Sequence, residues 1–480
     1  MKQTRGNSRS ALRTRRLSTW VAALCTSAAT WGAAADEAVV LSTDFETAYY
    51  SSMQLASPWA RTIDIGGTCA DAVIRAHGDR AYVLGRFGCD FVQVIDAAGD
   101  FSTLNQFSTG NGTNPHDIEL YTPTKAYVSL YDTDYLLVVN PETGVSAGQI
   151  SLATFSDEDG LPEADEMVLV GDLLFVALQR LDRTQGFAPV NDAVVAVVDC
   201  TTDQIVDVDP DSDGLQGIPL TGRNPFGELL FDRVRQKIYL AEVGAFGVAD
   251  GGAEFIDPQA LSAEGFFITE SALGGDLSAF RLWSDCSGYA VLTDAGFNTK
   301  LTRFDWCSGN VSQECLATSG FRISDVEIAV DGTIVITDRD LATPGVRVFQ
   351  APGCAEMTPS PLGFGLPPQD IALVEAFQPT DAAPLASTRL RLWPNRPNPF
   401  NPSTTLEFAV PDGAHVRLEV LDVRGRRVSL LWDAPVPGGV AAIEWRGLDA
   451  GGRSLPSGVY VARLRTRLGQ QRSQRMTLLR

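Results

Sequence analysis

The stretch "AYVSLYDTDYLLVVNPETG" (126–144) holds two short apolar runs, a brief polar connection and a closing Asn-Pro turn. That is the pattern of a β-hairpin. The first run recurs as "AVVLSTD" (38–44), "AYVLGR" (81–86), "LFVALQR" (174–180), "IYLAEVG" (238–244), "YAVLTD" (289–294) and "IVITDRD" (334–340), seven in all. Most are followed by a second run ending in Asp or Asn, such as "VQVID" (92–96), "LLVVN" (136–140) and "AEFID" (253–257). Such residues hydrogen-bond their own backbone in tight turns. A further strand precedes each hairpin, with starts at 71, 117, 166, 228, 280, 325 and 370, so successive starts lie 45–62 residues apart. Four strands per unit at this period is the signature of a β-propeller.

The ends of the array are offset. The run near Val39 has no inner strand before it, and the strand near Asp370 has no partners after it. A circle resolves both. The segment 38–65 supplies three strands of the sheet whose innermost strand is 368–376, and closure removes free edges. The expectation is an all-β chain: a seven-bladed β-propeller over 36–377, its N-terminal strands closing the last blade. The blades resemble those of bacterial propellers of the YVTN or lactonase-like group, above all in "AYV" followed by "VVNPETG" (138–144).

Charge divides the 480-residue chain. The net of −21 resolves into +6 over 1–35, −35 over 36–385 and +8 over 386–480. An acidic body repels phosphate and argues against nucleic acid as a partner. Residues 1–35 have six basic groups, the apolar "LSTWVAALCTSAATWG" and small residues at Ala33–Ala35, the pattern of a secretory signal peptide. No later stretch is long and apolar enough to span a bilayer. Export permits disulfides among the seven cysteines after residue 35. Cys69 and Cys89 face each other across adjacent strands, and Cys286 and Cys307 share one sheet, with Cys315 competing for Cys307.

After the linker 378–392, residues 393–480 alternate as short strands of a small immunoglobulin-like β-sandwich. "NPFNPSTTLEF", "LDVRGRRV" and "WRGLDAGGRSLPSGVYVARL" resemble the type A C-terminal sorting domain of the type IX secretion system, and the related domain of the flagellar hook-capping protein. The resemblance implies an address read by secretion machinery and a mature protein that is secreted or held on the extracellular face of the outer membrane. Pro397, Pro399 and Pro402 stiffen the lead-in, and Phe400 is placed to anchor it.

Chemistry is expected in two places. Aligned inner strands carry Asp71, Asp117, Glu166, Glu228, Phe280, Asp325 and Asp370 at one position. Six carboxylates there either hold a cation such as Ca²⁺ or cap backbone N–H groups in their own inter-blade loops, the latter being favoured. "DVDPDSDG" (207–214) presents Asp209, Asp211 and Asp213 as a calcium loop, though Leu220 stands where an EF-hand has its bidentate acid. His116 adjoins Asp117 and is read as a structural hydrogen-bonding group. Two functions compete: a binding scaffold for a protein or glycan, and a metal-dependent lactonase- or lyase-like enzyme using Asp117, Asp325, Asp370 and His116. The lactonase resemblance implies the second, since such propellers place channel carboxylates around a metal.

Overall fold

A computed structural model describes residues 37–374 and 391–480, apart from 98, 233–234, 284–285, 330, 393–394, 396, 411–414, 423, 436–438, 450, 452 and 467–470. The expected signal peptide and most of the expected linker lie outside the described residues. The chain is all-β. Seven antiparallel sheets follow one another between Glu37 and Val374, six of four strands and one of five. This arrangement is consistent with a β-propeller.

Burial explains the order of strands within each sheet. The second strands are apolar almost throughout: Arg80–Gly85, Lys125–Leu130 and Leu173–Leu178 are buried on both faces after their first residue. A strand reads this way only when layers cover both sides of its sheet. The fourth strands, Thr103–Ser108 and Val145–Ser151, are mostly exposed. Each sheet is therefore packed at one edge and wet at the other. Apolar clusters fill the spaces between neighbouring sheets; one unites Tyr127, Leu136 and Val138 with Met167, Leu174 and Val176.

The packed edges meet in sequence. Ala72–His77 touches Pro115–Thr122, which touches Ala164–Val170, which touches Leu230–Asp232. In that sheet the second strand, Lys237–Glu242, makes the next contact: it touches Asp276–Leu282, which touches Val326–Ile328, then Pro368–Val374, then Ala72–His77 again. The two ends of this array of sheets are joined as the offset pattern required. Pro368–Val374 pairs antiparallel with Glu37–Thr43, with Val40 opposite Ile371, and Ala48–Gln54 and Arg61–Thr68 complete that sheet. The Asp and Asn residues ending the third strands behave as their chemistry dictates. Asn140 Oδ1 accepts from Glu142 N at 3.0 Å, and Asp199 and Asp257 accept from Thr201 N and Gln259 N at 2.8 Å.

Disulfides join Cys69 to Cys89, Cys286 to Cys307 and Cys315 to Cys354. Cys315 thus bonds into the next sheet instead of competing for Cys307. Cys200 is a buried free thiol whose pKa burial pushes up to about 12.

Residues 391–478 form two further sheets. Thr404–Val410 pairs with Arg391–Leu392 and Gly439–Trp445; His415–Asp422 pairs with Arg427–Pro435 and Gly458–Thr466, and Gln471–Leu478 completes the second. Both sheets feed one core containing Leu406, Leu418, Trp445, Tyr460 and Met476. Phe400 belongs to it, and its backbone N–H donates to Thr477 O at 2.9 Å while its carbonyl accepts from Leu479 N at 2.9 Å. Asn398 Oδ1 accepts from Thr477 N at 2.8 Å. The Asn-Pro segment thus fastens onto the last strand. No helix among the described residues is long and apolar enough to cross a membrane.

Candidate functional site

The packed edges of the sheets enclose a cavity of about 510 Å³ lined by Arg75, Asp117, Glu119, Glu166, Glu228, Arg281 and Glu327 among others. Two guanidinium groups organise it. Arg75 on Ala72–His77 reaches three other sheets: Nε lies 3.1 Å from Asp117 Oδ1, Nη2 2.6 Å from Glu166 Oε1 and Nη1 3.4 Å from Asp370 Oδ2. Arg281 reaches Glu228 and also Glu327, at 3.0 Å through Nε and 2.5 Å through Nη2. Burial works against the charge on Arg75, but Glu166, Asp117 and Asp370 outweigh it and hold its pKa well above the usual value.

The carboxylates also bind backbone across sheet boundaries. Asp117 Oδ2 accepts from Met167 N at 2.7 Å, Asp325 Oδ2 from Ile371 N at 2.9 Å, and Asp370 Oδ2 from Ile74 N at 2.8 Å. In each case the acid of one inner strand satisfies an N–H of the next. The second oxygen accepts the N–H of the following residue in its own strand: Ile118, Val326 and Ile371. Burial raises the pKa of Asp117, Glu119, Glu166, Asp325 and Asp370, and lifts Glu327 to about 7 against the pull of Arg281.

The aligned residues do not all converge. Asp117, Glu166 and Asp370 meet at Arg75, and Glu228 sits on Arg281. Asp325 bridges two inner strands. Asp71 turns to Arg86, whose Nη2 lies 2.6 Å away. Phe280 is 3% exposed and packs with Tyr239 and Phe304; the channel group of its strand is the next residue, Arg281. Asp209, Asp211 and Asp213 lie on an exposed loop, where Asp209 Oδ2 accepts from Ser212 Oγ at 2.7 Å. Among the described residues, the one group of three or more Cys, His, Asp or Glu with ligand atoms within 4.8 Å of one another is Cys286, Asp305 and Cys307, and two of those are disulfide-bonded. Arg75 and Arg281 went unnoticed at the sequence level. Their signal was a single cation set directly among apolar residues of an inner strand, "AVIRA" (72–76) and "AFRLW" (279–283).

The histidines fall apart from this arrangement. His116 pairs with Asp165, not with the adjoining Asp117: its Nδ1–H donates to Asp165 Oδ1 at 2.6 Å, and the ring stacks on Tyr131 with centroids 4.3 Å apart. His77 donates from Nε2 to Ile118 O at 2.8 Å, and burial lowers its pKa to about 4. The side chain of His415 lies outside the described residues.

No protein-family model matches the chain, and no curated protein matches it in sequence. Solved structures are similar in fold. PorZ, an essential surface component of the type IX secretion system of Porphyromonas gingivalis, superposes with a TM-score of 0.42 at 12% identity, covering 90% of this chain and 64% of that one. A Bacteroides fragilis protein, whose assignment as a 6-phosphogluconolactonase is itself provisional, gives 0.47 at 13% identity over 70% of this chain and 97% of its own. Streptogramin B lyase gives 0.42 at 7% identity over 63% and 90%.

Proposed function

We propose that this chain is a seven-bladed β-propeller binding scaffold, exported and held at the cell surface through a C-terminal immunoglobulin-like module. On this reading residues 1–35 are a signal peptide, 36–377 the propeller, 378–392 a linker and 393–480 the module read by secretion machinery. The observation that carries the scaffold role is the use made of the channel carboxylates. Asp117, Asp325 and Asp370 hold neighbouring inner strands together through backbone N–H groups. Carboxylates engaged in this way make a rigid platform on which loops present a binding surface.

Within this reading calcium belongs to the loop at Asp209, Asp211 and Asp213. Arg75 and Arg281 already supply the positive charge among the channel acids, whereas the loop carboxylates are open to solvent.

Fractionation of cells producing the full chain or residues 1–385 tests the export role. The full chain is expected at the surface and the truncated chain inside the outer membrane. Surface delivery of the truncated chain would overturn the role of the tail.

A further inference from the structure

A second cavity, of about 420 Å³, opens between two long loops and a connection from neighbouring sheets. Its volume lies in the range of about 300–1,000 Å³ usual for small-molecule sites. Phe187 and Ala188 come from the loop after Leu173–Leu178, and Phe246 from the loop after Lys237–Glu242. Asn224 and Phe226 come from the connection between those sheets, and Tyr131 and Gln179 complete the polar lining. None of the lining residues is charged, in a chain whose net charge is −21.

Aromatic carbon is presented openly. Phe187 and Phe246 are 51% and 54% exposed, and Phe226 stands edge-on to Phe246 with centroids 5.4 Å apart. The Phe187 loop is held in place. Arg183 stacks on the rings of Phe187 and Tyr131, and its guanidinium is fixed by Glu163 and Asp132 at 2.7 Å each.

The polar groups are biased in one direction. Tyr131 spends its hydroxyl proton on Gln179 Oε1 at 2.6 Å. Gln179 spends its amide protons on Asp165 Oδ2 at 2.7 Å and Pro225 O at 2.9 Å. Asn224, 4% exposed, donates from Nδ2 to Gly244 O at 3.0 Å, and its Oδ1 has no partner. Tyr131 and Gln179 have no donor left and Asn224 keeps one amide proton, while acceptor capacity remains on all three: lone pairs on Tyr131 and Gln179, and Asn224 Oδ1. A complementary ligand brings hydroxyl donors, carries no charge, and offers a C–H face to two phenylalanine rings. We infer that this pocket binds a neutral saccharide.

The inference rests on the scaffold reading, but the two are decided separately. Surface fractionation judges whether the scaffold is delivered to the cell surface; calorimetry on the purified full chain judges the pocket. The probes are maltose, cellobiose and N,N′-diacetylchitobiose, with digalacturonate as the anionic comparison. At least one neutral probe is expected to bind and digalacturonate is not. Phe187→Ala and Phe246→Ala are each expected to weaken binding about tenfold, the scale of removing one buried aromatic contact. Phe246→Tyr keeps the ring and is expected to retain binding, and Leu341→Ala, at an exposed position outside the pocket lining, is expected to leave it unchanged. Melting temperatures of all four variants confirm that they fold. Absence of binding by every neutral probe, equal binding of digalacturonate, or undiminished affinity in either alanine variant would overturn the inference.

Discussion

The channel and the side pocket lie in the same set of sheets and treat polarity in opposite ways. The channel is dense with charge, and Asp117, Glu166, Glu228, Asp325, Glu327 and Asp370 are matched by guanidinium groups or by backbone N–H groups of the adjoining strand. The pocket carries no charge, exposes two phenylalanine rings, and leaves Asn224 Oδ1 without a donor. The difference separates groups that hold the fold from groups that await a partner. Buried charge is tolerated only when it is paired and hydrogen-bonded. Open acceptors beside aromatic faces are what a binding site keeps in reserve.

The largest expected effect breaks the channel. Arg75→Met leaves Asp117, Glu166 and Asp370 without their common cation, and removing one partner of a buried ion pair costs about 3–5 kcal/mol. Chemical denaturation followed by near-UV circular dichroism measures it. The cost depends on pH in a definite direction. Burial already raises the pKa of Asp117 and Glu166, and loss of Arg75 raises both further. The folded variant then keeps protons that the unfolded chain has lost above the usual carboxylate range. Its stability falls as pH rises from about 4.5, so the deficit is greatest near pH 8 and smallest near pH 4.5. An Arg75→Met protein as stable as the parent at pH 8 would mean that the channel charges are not coupled.

The same contrast explains what the sequence made legible. The repeat could be read because apolar second strands and Asp- or Asn-ended third strands recur with the period of one sheet. Ring closure followed from counting strands at the two ends. The acids at 117, 166 and 370 could be aligned, but their common partner sits on another strand, and only closure brings Arg75 to all three. Phe280 was aligned as the odd residue of the ring, whereas Arg281 beside it is the one that enters. Cys315 bonds to Cys354 in the following sheet, a pairing that strand order within one sheet does not reveal. The pocket was invisible because its walls come from loops near 187, 225 and 246 that share no motif.

A second effect, read as a slope against pH, concerns two buried acids outside both cavities. Glu242 and Glu254 are fully buried on adjacent strands, and burial together with Glu254 pushes the Glu242 pKa to about 10. Glu242 accepts from Gly222 N, and Glu254 from Thr221 N at 2.9 Å. The folded chain therefore holds a proton between about pH 4.5 and 10 that the unfolded chain releases. Stability declines with rising pH across that window, by up to about 1.4 kcal/mol per pH unit for one proton. Glu242→Gln keeps a neutral amide in place of the acid and is expected to flatten that decline in melts from pH 6 to 9. A slope unchanged by the substitution would show that Glu242 is ionised.

Calcium at the exposed loop is expected to have a still smaller effect. Exterior calcium modules bind with Kd of about 10⁻⁴–10⁻³ M, so 1 mM Ca²⁺ stabilises by about 0.4–1.4 kcal/mol. Melting with and without EDTA measures this, and the shift is expected to vanish in Asp209→Asn/Asp211→Asn/Asp213→Asn. A shift that instead survived the triple substitution and vanished in Asp117→Asn would place the ion in the channel and make the two cavities less distinct.

The smallest effect tests the pocket's side of the comparison. Phe187→Ala and Phe246→Ala remove rings that are more than half exposed, and exposed substitutions away from structural features stay within about 0.5 kcal/mol. Both variants are expected to melt with the parent, while Arg75→Met does not. That ordering matters more than either number, because a ring kept for stability would be buried, and these two are more than half exposed. A loss of stability at Phe187 comparable with that at Arg75 would mean that the ring holds the Arg183 loop in place, and the pocket would then belong to the framework with the channel.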